Sequence, residues 1–268
     1  MEESAAIFLR NLSRGPALER KSVKENIDTY RTAGGAGILY ALVEENEREL
    51  FARYVNVEDV ADGFTGQSGL MLAMRAGWNA EVLEMLKHKP SVTIDKDGNS
   101  LLHYAAVRGS VDVINRLLVL SFKPDLANRF GLTAWKAALE FDNAQAVEAM
   151  IAFDAGRYVS RPWMEDAIRS GRDYAVEQLA KRVALNNTGS DEIPLLLKAV
   201  LFEKRTAFNT LVSHGADTRV KDVYGNNILH YLVHAGWDDL TAQLAASQPD
   251  LLNRKNNDGK TPLQILQD

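Results

Sequence analysis

One phrase recurs in this chain at a fixed distance. Gly98-Asn99-Ser100-Leu101-Leu102-His103-Tyr104-Ala105-Ala106 is echoed by Gly225-Asn226-Asn227-Ile228-Leu229-His230-Tyr231-Leu232-Val233, and Gly131-Leu132-Thr133-Ala134-Trp135-Lys136-Ala137-Ala138 stands between them, 33 residues after Gly98. A period of that length constrains the fold more than any compositional property does. One unit of this size cannot bury its own apolar face, so successive copies must stack and share a continuous core.

The phase can be followed at other positions. A small or turn-forming residue separates two helical stretches at Gly77, Gly109, Asp142, Gly171, Glu203 and Gly236, with spacings of 32, 33, 29, 32 and 33. A left-handed residue at a helix C-terminus favours glycine there, which Asp tolerates at some cost and from which Glu203 departs. The short spacing implies a deletion of about one helical turn near 150 to 162. An Asx residue stands three positions before a glycine in Asp95-Lys96-Asp97-Gly98, Asn128-Arg129-Phe130-Gly131, Asp222-Val223-Tyr224-Gly225 and Asn256-Asn257-Asp258-Gly259, the signature of a tight turn. Thr261-Pro262-Leu263 then reads as a helix start, with Thr as N-cap and Pro at the first helical position. Gly69 to Met74, Ile38 to Leu42, Trp163 to Ile168 and Leu195 to Val200 occupy the same first-helix phase. Val111, Val113, Ile114, Leu117 and Leu118 give the clearest second helix.

These motifs resemble the G-x-T-P-L-H-x-A core of ankyrin repeats. The expected fold is an all-α ankyrin-repeat solenoid of stacked helix-turn-helix units with β-turn fingers. The array covers 34–268, with about seven units and a terminal half-unit. Residues 1–33 do not fit the period and read as an N-terminal helical cap over the first apolar face, or as a disordered arm.

The net charge of −5 over 268 residues disfavours general affinity for nucleic acid or an anionic membrane. With no cysteine, neither a disulfide framework nor a thiolate metal site is available. The N-terminus lacks the basic start and apolar core of a signal peptide, and no apolar run approaches a membrane span. The expected compartment is the cytoplasm, with non-classical secretion into a host cell left open.

No chemistry-bearing motif outweighs the repeat. His230 and His234 lie four apart on one helix face, but Tyr231 stands where a zincin carries its general base, and His230 holds the phase of the repeat histidine. Ser100, His103 and Asp97 each have a structural reason to be present, as N-cap, repeat histidine and turn residue. Gly34-Gly35-Ala36-Gly37 lacks the Lys and Ser/Thr of a phosphate loop. The expectation is no catalytic residue, no metal and no cofactor.

The resemblance implies that a partner protein contacts the turn tips and the outward side of the first helices. Carried over by phase, the candidate binding residues are Phe64, Arg75, Arg108, Arg129, Phe130, Tyr158, Phe202 and Tyr224. The repeat framework asks for nothing large at these positions, whereas aromatic and Arg side chains dominate interface energetics. Trp78 and Trp237, each following an interhelical glycine, read instead as covers for the second helix. The chain is expected to be a non-enzymatic, monomeric module that binds another protein. The alternatives are an immunity-type inhibitor of a cognate enzyme or toxin, a bacterial effector docking a host protein, and a cryptic enzyme.

Overall fold

The computed structural model describes residues 38–44, 46–55, 59–61, 65–153, 160–187 and 193–267. Segment 1–33, Phe64 and Tyr158 lie outside the described residues. The chain forms two compact units, 1–154 and 155–268.

The first unit contains four helix pairs among its described residues: α1 (Ile38–Glu44) with α2 (Arg48–Tyr54), α3 (Gly69–Ala76) with α4 (Asn79–Met85), α5 (Leu101–Arg108) with α6 (Val111–Val119), and α7 (Ala134–Glu140) with α8 (Ala144–Phe153). The first helices pack in series, α1 on α3, α3 on α5 and α5 on α7, and the second helices α4, α6 and α8 do the same. The second unit repeats the plan with α9 (Arg161–Ser170) and α10 (Asp173–Ala180), α11 (Leu195–Leu201) and α12 (Arg205–Ser213), then α13 (Ile228–His234) and α14 (Asp238–Ser247). Two 3-10 segments, Pro249–Asn253 and Pro262–Gln267, close it, the latter packed on α13. Among the described residues there is no strand. The isolated bridges Ile94 to Ser100, Ala127 to Thr133 and Lys221 to Asn227 pinch the bases of three turn fingers.

First helices are short because capping residues fix both ends. Ser68, Thr133 and Asn227 accept the early backbone N–H groups of α3, α7 and α13. At the other end, Gly77, Asp142, Gly171, Glu203 and Gly236 all adopt left-handed φ between 56° and 76°. The next residue then donates back to the helix: Trp78 to Ala73 O at 3.0 Å, Asn143 to Ala138 O at 2.9 Å, Arg172 to Ala167 O at 3.2 Å, Lys204 to Ala199 O at 2.8 Å and Trp237 to Leu232 O at 3.0 Å. Asp142 and Glu203 therefore hold the glycine geometry at a cost of about 1 kcal/mol each, which the flanking helices offset. Asn46, at φ 57°, makes the same turn between α1 and α2.

Gly109 departs from this expectation. Its φ is −68°, and a Cβ there would meet Ala105 O at 2.5 Å. Glycine is needed at this turn for close approach of backbone to backbone, not for left-handed φ. Thr261-Pro262 departs as well. The helix start is 3-10, and the Thr261 N–H and hydroxyl both donate to Gln264 Oε1, at 3.0 and 3.2 Å, so Thr261 is the partner of a cap and not its acceptor.

The cores follow the periodicity. Leu102, Ala105 and Leu117 are fully buried and Leu118 is nearly so. Trp78 is buried, edge-on to Phe51 of α2 at 5.3 Å. Trp237 is half-buried, edge-on to Phe208 at 5.9 Å, with the Arg205 guanidinium 5.3 Å from its ring centroid. The core role expected of both tryptophans holds for Trp78, whereas Trp237 keeps one face partly open beneath a cation.

Candidate functional site

The turn fingers are built around their Asx residues. Asp95 Oδ1 accepts the N–H groups of Asp97 (2.9 Å) and Asn99 (2.8 Å), while Oδ2 accepts the Asn99 amide (2.8 Å) and the Tyr104 hydroxyl (2.6 Å). Asp222 reproduces the set with Tyr224 N–H, Asn226 N–H, the Asn226 amide and the Tyr231 hydroxyl. Asn128 and Asn256 keep the two backbone bonds and turn their amide nitrogens to the preceding finger, reaching Asn99 Oδ1 at 2.7 Å and Asn226 Oδ1 at 2.8 Å. Backbone bonds tie finger to finger too: Lys96 N–H to Thr65 O, Arg129 N–H to Asp97 O and Asn257 N–H to Tyr224 O. Burial, then the adjacent carboxylate, pushes both tyrosine hydroxyls above their ordinary pKa, so each stays a donor.

The repeat histidines lace neighbouring units. His103 Nδ1 accepts the Ser100 N–H at 3.1 Å and faces the Ser100 hydroxyl at 2.9 Å, which assigns the single ring proton to Nε2, donating to Leu132 O at 3.0 Å. His230 does the same with Asn227 N–H and Lys260 O, each at 3.1 Å. Both ring nitrogens of each histidine are thus engaged. Among the described residues no three His, Cys, Asp or Glu side chains are grouped as a metal site. The Ser100–His103 pair is buried at 2% and 0% exposure, out of reach of a substrate. Burial holds both imidazoles below their ordinary pKa.

The sign of the resulting pH dependence is fixed. As pH falls through about 6.5, the unfolded chain takes up protons that the folded chain refuses, so stability falls with pH at a limiting slope of about 1.4 kcal/mol per pH unit per histidine. Denaturant unfolding followed from about pH 7.5 to about 5.5 should show this loss, smaller in His103→Gln than in the parent chain. A flat profile would contradict the neutral, interlocked histidines.

Around this satisfied framework stand the candidate binding residues. In the first unit, Arg108 and Arg129 are exposed, and Arg75 and Phe130 are half-buried. In the second, the Arg169 guanidinium lies 4.6 Å from the centroid of half-buried Phe202, which pairs two side chains on successive units. Tyr224 is 65% exposed and Val223 45% at the fingertip, while Leu201 at the end of α11 is 49% exposed. A pocket of about 190 Å³ opens between Leu201, Asn226, His230, Tyr231, His234 and Ile265. The sequence reading did not single out Lys198. It is buried in α11 with its ammonium 2.8 Å from Glu165 of α9, and Arg161 reaches the same carboxylate oxygen at 2.7 Å. The one sign of it is a lysine inside the apolar run Leu195 to Leu201.

Helix pairs joined by left-handed turns, with β-turn fingers laced by Asx and His side chains, define a repeat protein of the stacked helix-turn-helix class. Residues 35–126 match the family model of ankyrin repeats, in three copies. The matched segment is built of ankyrin repeats, a fold of protein–protein interaction, and the described helix pairs beyond it follow the same solenoid plan. No curated protein sequence matches. Among solved structures it is similar to the human ASB11 ankyrin repeat domain (20% identity, TM-score 0.59, covering 74% of this chain and 91% of that one). It is also similar to a chain of the Bdellovibrio bacteriovorus complex of predatory endopeptidase Bd0816 with immunity protein Bd3460 (24% identity, TM-score 0.52, covering 67% and 97%). The ankyrin repeat domain of Bcl-3 is matched at 19% identity and TM-score 0.46, covering 85% and 92%. At their identities the first two are likenesses of fold alone. Among the described residues no helix is long and apolar enough to cross a membrane.

Proposed function

We propose that this chain is a non-enzymatic module that binds a partner protein through its turn fingers and the outward side of its first helices. The observation that carries this reading is Tyr224. Its backbone N–H and C=O are held by Asp222 and Asn257, yet its ring stands 65% exposed beside exposed Val223, so the fold makes little use of that ring. A large amphipathic ring displayed on a rigid finger buries much area on binding for little lost entropy.

Affinity capture with mass spectrometry, comparing the parent chain with Phe130→Ala/Tyr224→Ala, tests it. Partners seen with the parent should be lost from the double variant, and each single truncation should weaken a purified partner by about 2 kcal/mol with folding intact. Retention of every partner by the double variant, with loss on substitution of second-helix residues, would place the interface on the opposite face. If the captured partner is an enzyme, its activity with and without this protein decides between an inhibitor of the immunity type and a scaffold.

A further inference from the structure

In the first unit, α4 and α6 run out into segments 87–93 and 120–126, which lead to the fingers at 95–98 and 128–131. A pocket of about 310 Å³ opens between the two segments, lined by Lys89, Pro90 and Thr93 from one and by Leu120, Ser121 and Phe122 from the other. Sites for small ligands run from about 300 to about 1,000 Å³. This pocket reaches that range, whereas the one beside Leu201, at about 190 Å³, does not. None of its six residues is among the candidate partner-binding residues.

The wall joins apolar surface to unspent polar groups. Pro90, Leu120 and Phe122 are half-buried, so the array covers them only in part. The backbone here serves the fold, since Thr93 O accepts the Leu101 N–H at 3.2 Å and Phe122 N–H donates to Leu117 O at 3.1 Å. The side chains of Lys89, Thr93 and Ser121, in contrast, have no polar partner among the described residues. Over both segments the charged groups and histidine are Lys87, His88, Lys89 and Lys123 with Asp125, and Lys87 is bridged to Glu84. Lys89 is the one charged residue in the pocket wall.

Ser121 adds a second observation. Its φ is 69°, and the matching turn after α12 places Gly215 at φ 90°. The two turns share their bonds: Ser121 and Gly215 donate to Leu118 O and Val212 O at 2.9 and 3.0 Å, and Phe122 and Ala216 to Leu117 O and Leu211 O at 3.1 and 2.9 Å. Serine therefore holds a geometry that suits glycine, at a conformational cost, and by doing so supplies a side chain to the pocket wall.

We propose that this pocket binds a small aromatic monocarboxylate, its rings against Pro90, Leu120 and Phe122 and its carboxylate accepting from the Lys89 ammonium and the Thr93 and Ser121 hydroxyls. One ammonium balances one negative charge, which suits a carboxylate better than a phosphate dianion. The apolar walls suit a ring system better than a sugar, whose hydroxyls would lose their water without gaining partners.

The test titrates the full chain into 2-naphthoate and follows the probe's fluorescence anisotropy, with uncharged 2-naphthamide for comparison. One saturable site is expected, with Kd below about 1 mM for the acid and about tenfold weaker binding of the amide. Lys89→Gln should weaken naphthoate binding about tenfold at an unchanged melting temperature. Lys123→Gln removes the same charge from outside the pocket wall and should alter the affinity by no more than about twofold. Ser121→Gly should weaken binding about threefold or more while keeping or raising the melting temperature, because it removes the hydroxyl and relieves the turn. Absence of saturable binding, equal affinity for acid and amide, or an unchanged affinity in Lys89→Gln or Ser121→Gly overturns the proposal. An equal loss in Lys123→Gln overturns it as well, since the effect would then be one of net charge and not of this pocket.

Discussion

Asp95→Ala is expected to destabilise the first unit by about 3 kcal/mol or more. The carboxylate takes four hydrogen bonds at 2.6 to 2.9 Å from two backbone N–H groups, an amide and a phenol, and is itself buried. Alanine leaves the Tyr104 hydroxyl, also buried, without its acceptor and the finger without the bonds that hold Gly98 at φ 84°. Asn128 shows what a milder change retains, since its Oδ1 still accepts the N–H groups of Phe130 and Leu132. Asp95→Asn keeps the two backbone bonds but sets an NH2 group where Oδ2 accepted from the Asn99 amide and the Tyr104 hydroxyl, so it should cost about 1–2 kcal/mol, less than the alanine variant. Guanidinium unfolding of the pair measures both values. A loss below about 1 kcal/mol for the alanine variant would mean that the finger is held by its backbone bonds to neighbouring fingers alone.

Leu102→Ala is expected to cost about 2–5 kcal/mol, the transfer free energy of the deleted carbons together with the cavity they leave. Leu102 is at 0% exposure in α5, a helix packed between α3 and α7, so the hole cannot be filled by rotation of a single neighbour. Val119→Ala in the same helix pair, at 60% exposure, should stay within about 0.5 kcal/mol of the parent. Equal effects at the two sites would contradict the assignment of the inner face.

Local chemistry made the architecture legible. The Asx-x-x-Gly fingers, the capping Ser100 and the left-handed turns depend on residues within one turn of each other. The phase therefore located the left-handed geometry at Asp142 and Glu203, where the side chain itself argues against it. Gly109 shows the limit of that reasoning. A glycine in the right phase answers either to positive φ or to close approach, and only the position of Ala105 O distinguishes them.

The candidate site was legible as positions and not as surfaces. Phase named Arg108, Arg129, Phe130, Phe202 and Tyr224, but it could not foresee that Phe202 would lie beneath Arg169 while Tyr224 stands open. Nor could it give the chain from Asp95 through Asn99 to Asn128, the neutral His103 bridging to Leu132, or Lys198 buried against Glu165. Sequence by itself determined the repeat, its turn fingers and its inner face, because each follows from the backbone preferences and apolar spacing of a few consecutive residues. Tertiary structure alone decided which polar groups are spent within the array and which side chains face outward. Those outcomes depend on partners about one repeat away, and a local pattern carries no record of what the stacked neighbour covers.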